Sequence, residues 1–162
     1  MRTDAYYRAV AADALTRLAV IEPPVPVDVL VEAFGIPIRA VNLPPFFTSA
    51  MVYEDGLPVM VLNWAKPELE RRQALAHMLG HVLLVLAADG HTYSRQSGPH
   101  GDADAVAREL MLPTAMVIDQ ARLWFNDHRY LARLFGVDET DMVARMRELG
   151  LMKGPTGVVW EY

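Results

Sequence analysis

Along the first 20 residues the apolar positions recur at helical spacing: Tyr7, Val10, Ala14 and Leu18 share one face, and Thr3 stands where an N-cap would. Glu22-Pro23-Pro24-Val25-Pro26 stops that helix, because proline removes backbone donors and turns the preceding residue away from helix. A short helix follows from Val27 to Phe34, with Gly35 as its C-cap, and the β-branched content of Ile36 to Val41 then predicts a strand. After the loop Pro44-Pro45-Phe46-Phe47, Ala50 to Glu54 and Leu57 to Leu62 flank Asp55-Gly56, a pair suited to the positive φ of a tight hairpin turn. Pro58 marks the second of these strands as an edge at its start.

Pro67 sits where a first helical turn tolerates proline, and Glu68 and Glu70 favour the positive end of the dipole. That helix runs to about Ala88. Asp89 to Gly101 is polar and glycine-rich and reads as a loop. Helices follow over Asp102 to Met111, Thr114 (as N-cap) to Phe125, Arg129 to Phe135 and Asp138 to Leu149. Asp138 and Asp141 have the spacing of a capping box, and 157–162 reads as a last strand. The order predicts an α+β fold. Residues 1–126 form its main domain, and 127–162 add a helix pair and tail packed on it.

Composition narrows the function. Of 162 residues 52% are hydrophobic and 22% charged, enough apolar material for a core. The net charge of -5 disfavours a general nucleic-acid binder, which needs a basic face to displace counterions. The absence of cysteine excludes disulfides and thiolate metal sites. The N-terminus lacks the apolar core of a signal peptide, and the run from Val82 to Ala88 is too short to span a bilayer. A soluble, cytoplasmic chain with no membrane contact is expected.

The chemistry concentrates in the long helix, where residues 74–88 are apolar apart from His77 and His81. Four residues apart, the two imidazoles share one face and can share one metal ion. Buried without partners they would cost about 1–3 kcal/mol each. Donation to backbone carbonyls or a solvent-facing pocket would satisfy them without a metal. Gly80 between them costs about 1 kcal/mol relative to alanine, which implies a close neighbour or a ligand against the backbone. Zinc peptidases carry H-E-x-x-H here, with the glutamate as general base; this chain has Met78. A thioether cannot take a proton from water at neutral pH. Met51, Met60, Met111 and Met116 read as core filling. Arg129, Arg133, Arg145 and Arg147 read as a solvated basic stripe.

The hairpin ending in a polar residue, the segment Arg71-Arg72-Gln73, then Ala76-His77, Leu79-Gly80-His81 and finally Leu110-Met111-Leu112-Pro113 resemble the ImmA/IrrE-type zinc metallopeptidases. The C-terminal Leu131 to Val137 with its following helix is similar in type. The resemblance implies a zincin-like domain, a short twisted sheet packed on the H-x-x-x-H helix with a helical C-terminal part. It implies zinc as cofactor. Its third ligand lies eleven residues before the proline, which lands on Asp102, with His100 and Asp104 as alternatives. Active members cleave DNA-binding repressors, so the implied partner is a helix-turn-helix repressor held along the hairpin edge as an added strand. Three readings follow: an impaired homologue that binds without cleaving, an active peptidase using Glu54, Asp104 or Glu109 as base, and a metal-free interaction module. Tyr53 and Tyr93 could stabilise an oxyanion.

Overall fold

The computed structural model describes residues 2–89 and 100–152. The expected tail strand and Tyr93 lie outside them. Seven helices and three strands follow in the order α1 (Asp4–Arg17), α2 (Val27–Ala33), β1 (Ile38–Val41), β2 (Ser49–Glu54), β3 (Leu57–Asn63), α3 (Glu68–Asp89), α4 (His100–Met111), α5 (Thr114–Leu123), α6 (His128–Phe135) and α7 (Glu139–Glu148). The α+β class is as the sequence implied. Two terminal details differ: Thr3 makes no side-chain cap, and α4 begins at His100, two residues before the expected start.

The sheet order is β1-β3-β2, with β1 parallel and β2 antiparallel to β3. The second hairpin strand is central where β1 covers it and an edge at its start, as Pro58 implied. β1 pairs with β3 only from Met60 to Asn63, so Pro58 lies before the stretch that β1 covers and its missing N–H interrupts no ladder. Its other neighbour across the hairpin is Tyr53. A central strand is buried on both faces, and Val59, Met60, Leu62 and Asn63 of β3 are all buried. Among the described residues β2 is an edge strand, with Val52 39% exposed.

Asn63 terminates β3 and fastens the chain around it. It is fully buried, and its side-chain amide donates to the carbonyls of Leu43 (3.0 Å), Pro44 (3.2 Å) and Phe47 (2.8 Å). Its Oδ1 accepts from the backbone N–H groups of Leu43 and Ala65. A buried amide must satisfy its polar atoms or cost stability, and here doing so fixes the path of the β1–β2 loop.

α3 is the spine. Its Leu75, Ala76, Met78, Leu79, Val82, Leu83 and Leu84 enter the same apolar core as Leu30 and Val31 of α2, Met60 of β3 and Val106 and Leu110 of α4. Its most extensive partner is α4. The approach is closest at Gly80, where a Cβ would lie 2.6 Å from the backbone oxygen of Ala103. The glycine inside the helix is explained by that close packing. Arg72, earlier on α3, donates to the carbonyl of Gly136 at 2.8 Å, capping the end of α6, and reaches the carbonyl of Val25 at 3.4 Å.

Two expectations about the later helices fail for one reason. Arg145 is 6% exposed rather than part of a solvated stripe, and Thr114 is not the N-cap of α5, a position held by Pro113. Both join a buried cluster around Glu109. The Arg145 guanidinium donates to Glu109 Oε1 at 2.6 Å, to Thr114 Oγ1 at 2.9 Å and to the Leu112 carbonyl at 3.0 Å. Glu109 also accepts from the Thr114 backbone N–H (3.1 Å) and hydroxyl (2.7 Å). A carboxylate from the end of α4 thus serves a buried backbone donor at the start of α5 that has no partner within the helix. Asp138 makes no side-chain cap, and Asp141 accepts from Gln73 of α3 at 3.1 Å, so the capping-box expectation also fails. The side-chain cap is instead Asp127, which accepts from Arg129 and Tyr130 at the start of α6.

Gly80→Ala should destabilise the protein by about 1–3 kcal/mol, since the new methyl meets backbone rather than a movable side chain. Urea unfolding checks this. Arg145→Ala should cost more, about 3–5 kcal/mol, by leaving Glu109 buried without its counter-charge.

Candidate metal centre

The i, i+4 spacing places His77 and His81 on the face of α3 that meets α4. Their Nε2 atoms are 3.1 Å apart. From the first turn of α4, His100 brings Nδ1 to 3.2 Å from His77 Nε2. One ligand atom from each histidine lies within 4.8 Å of the others. The His77 and His100 rings stack, and His81 meets both edge-on. Burial grades across the group: His81 is buried, His77 half-buried and His100 exposed.

Which nitrogen holds the proton follows from Asp104. Its carboxylate lies 2.7 Å from His77 Nδ1, and a carboxylate accepts, so Nδ1 carries the hydrogen and Nε2 presents a lone pair toward the other two rings. Such a carboxylate fixes both tautomer and ring orientation in histidine metal ligands. His81 has its pKa pushed below the ordinary 6.5, first by burial and then by His77 and His100, so it is neutral near pH 7 and able to ligate. Its Nδ1 is buried and has no hydrogen-bond partner among the described residues. With its hydrogen on Nε2, His81 can donate to His77 but buries an unmatched Nδ1 acceptor; with the hydrogen on Nδ1, it buries an unmatched donor and turns one lone pair toward another. A cation among them removes that conflict.

The donor set fits zinc. Tetrahedral coordination at about 2.0–2.1 Å puts ligand nitrogens roughly 3.3 Å apart, close to the two short separations seen here. His77, His81 and His100 would supply three ligands, and the group opens to solvent on the side of His100, which is exposed. A bound zinc supplies Lewis acidity there.

Asp102 lies elsewhere. Its Oδ1 accepts from the Tyr7 hydroxyl of α1 at 2.6 Å, a bond that holds the Tyr7 phenol above its ordinary 10.0. The structure therefore brings together His77, His81, His100 and, behind them, Asp104, and it ties Asp102 to a different helix. Helix geometry explains the division. Ala103 faces Gly80, so His100 and Asp104 flank the face of α4 turned to α3, while Asp102 points about 100° away from Ala103 toward α1.

The residues weighed as substitute bases are all engaged. Asp104 holds His77, Glu54 pairs with both terminal nitrogens of Arg39 across the sheet, and Glu109 lies in the Arg145 cluster. Met78 is 5% exposed and belongs to the apolar core. Tyr53 is on β2, opposite Pro58.

Residues 31–147 match the model of the IrrE N-terminal-like domain, peptidase M78. The chain belongs to that family. A Mycobacterium tuberculosis transcriptional regulator has a similar structure, with TM-score 0.65 and 18% identity over 96% of this chain and 49% of that one. This chain thus spans about half the length of that regulator, and the likeness is one of fold. No curated protein matches. In this IrrE-like chain the family's zincin-like arrangement holds, with the sheet packed beside α3, and the H-x-x-x-H helix faces α4 across the histidines. Among the described residues no helix is long and apolar enough to cross a membrane.

His100→Ala should weaken zinc binding at least tenfold, measured by competition with a chromophoric chelator. Asp104→Asn should weaken it by about 10–100-fold. Asp102→Asn should leave zinc affinity unchanged and lower thermal stability slightly, because an amide oxygen accepts the Tyr7 hydroxyl less strongly than a carboxylate does. Loss of zinc on Asp102→Asn, with His100→Ala neutral, would instead restore Asp102 as the third ligand.

Proposed function

We propose that this chain is a metal-binding, hydrolytically impaired member of its family that acts in gene regulation by binding a helix-turn-helix repressor. The observation that carries the reading is the pairing of an assembled three-imidazole cluster with a buried methionine at the position of the base. General-base catalysis contributes about 10²–10⁴-fold, and Met78 cannot supply it. His77, His81 and His100 would hold a zinc ion between α3 and α4, and the bound ion would supply a Lewis acid to a group of the partner.

The edge strand β2 supports the binding half of the reading. Its outer edge offers backbone donors and acceptors to an added strand, with Val52 exposed beside them. An acidic chain suits a DNA-binding partner, whose own surface is basic. The partner would be a cytoplasmic protein, and no direct nucleic-acid contact is required of this chain.

An active peptidase is the second reading, favoured by the exposed side of the histidine cluster. One experiment separates the two. Zinc-loaded wild type and Met78→Glu are incubated with a candidate helix-turn-helix repressor, and fragments are followed by mass spectrometry. The variant should cleave at least about 100-fold faster than wild type. Equal rates in the two proteins would overturn the impaired reading.

A further inference from the structure

Helix ends on this chain close on a left-handed residue, and at two of them it is not glycine: the small Ala19 after α1, with φ 51°, and a bulky phenylalanine after α5. After α2, α6 and α7 the left-handed residue is glycine: Gly35, Gly136 and Gly150, with φ of 73°, 66° and 72°. At the end of α5 it is Phe125, with φ 51°, followed by Asn126 at 58°. The hydrogen bonding is that of the same cap, since Asn126 N–H donates to the Ala121 carbonyl at 2.9 Å, as Val137 N–H does to Ala132 at 3.0 Å. A bulky side chain in this conformation is disfavoured, whereas glycine adopts it freely.

Packing gives no return for that strain. Phe125 is 81% exposed, and its neighbours Leu123 and Trp124 are 63% and 44% exposed. Trp124 stacks on Tyr130, with ring centroids 4.4 Å apart, which extends the apolar surface onto α6. Asn126 also bonds the Leu151 carbonyl at 3.4 Å, and Asp127 caps α6, so the turn is held firmly in the shape that projects the ring. Strain kept in place by its surroundings is a mark of function.

The charge around the patch selects its occupant. Arg122 ends α5, and Arg129 and Arg133 lie one turn apart on α6. Arg129 meets Glu139 at 3.8 Å, while Arg122 and Arg133 have no ion-pair partner among the described residues. The one nearby carboxylate of the turn, Asp127, is taken up by the helix cap. Two arginines without an ion-pair partner among the described residues, Arg122 and Arg133, thus lie on the two helices that flank the exposed rings, with Asp119 one turn before Arg122 as the carboxylate of α5. We infer that the α5–α6 turn is a docking knob for an acidic segment of a partner protein, one in which leucine-like side chains alternate with carboxylates. The inference stands apart from the metal reading, because none of these residues belongs to the histidine cluster.

The test uses the full chain and a synthetic peptide of glutamate and leucine, with a lysine–leucine peptide as control. Binding is followed by fluorescence anisotropy of a label on the peptide. Wild type should bind the acidic peptide and not the basic one, with affinity that falls as salt rises. Phe125→Gly should weaken binding at least tenfold. Its unfolding midpoint should be unchanged or raised by ~2 °C, because the backbone strain is relieved. Joint replacement of Arg122 and Arg133 by serine should also weaken binding and remove its salt dependence. Failure of wild type to bind, or equal binding by Phe125→Gly, would overturn the inference. So would a midpoint lowered by several degrees in Phe125→Gly, which would mean the ring packs against its own chain. Self-association of wild type that is lost in the same variant would assign the knob to a second copy, against the partner inferred here.

Discussion

The backbone of α3 touches the backbone of α4 at Gly80 and Ala103, and most of the molecule is arranged to permit that contact. Two helices meeting through side chains have axes about 8–10 Å apart, and removing a Cβ from the seam brings them closer. Closeness is what lets short, stiff imidazoles from two helices converge. With a larger residue at 80, His100 would be carried away from His77 and His81, and Asp104 would lose His77. The structural cost of a glycine inside a helix and the chemistry of the histidine group therefore share one cause.

The rest of the core keeps the pair in place. The sheet and α2 pack on α3, and α1 meets α4 through the Tyr7–Asp102 bond, so each helix of the pair has its own support. At the far end of α4, Glu109 and Arg145 anchor it to α5 and α7. Polar residues do this anchoring inside an otherwise apolar interior. The arrangement is stiff where the histidines sit and leaves β2 and the α5–α6 turn presented to solvent.

Much of this was legible in the residues. The helical and strand periods located every element, the hairpin turn at Asp55-Gly56 was read from two residues, and the histidine pair and Gly80 marked α3 as the centre. What remained hidden depended on rotation about helix axes. Asp102 and His100 are two positions apart, and the count from Pro113 favours the former. Which of them faces α3 is decided by the Ala103–Gly80 contact, which joins residues 23 apart in sequence and leaves no local trace. Arg145 was misread for a similar reason: its partner Glu109 is on another helix, and an arginine on a charged helix looks solvated until the partner is found. Pro58 marked the uncovered start of β3, while the parallel pairing with β1 further along, which makes the strand central, left no local sign. The strained cap at Phe125 left no signal, since sequence shows a helix end there and not the sign of φ.

Arg72 lies on α3, five positions before His77, and its guanidinium spans three carbonyls from two distant parts of the chain: Val25, Phe135 and Gly136. Mechanically it is a rivet. The end of α6 cannot slide or tilt away without withdrawing acceptors from a guanidinium fixed to the histidine-bearing helix. Whatever grips the C-terminal helices therefore pulls on the same rod that carries the histidines, and the two ends of the molecule bear load as one piece.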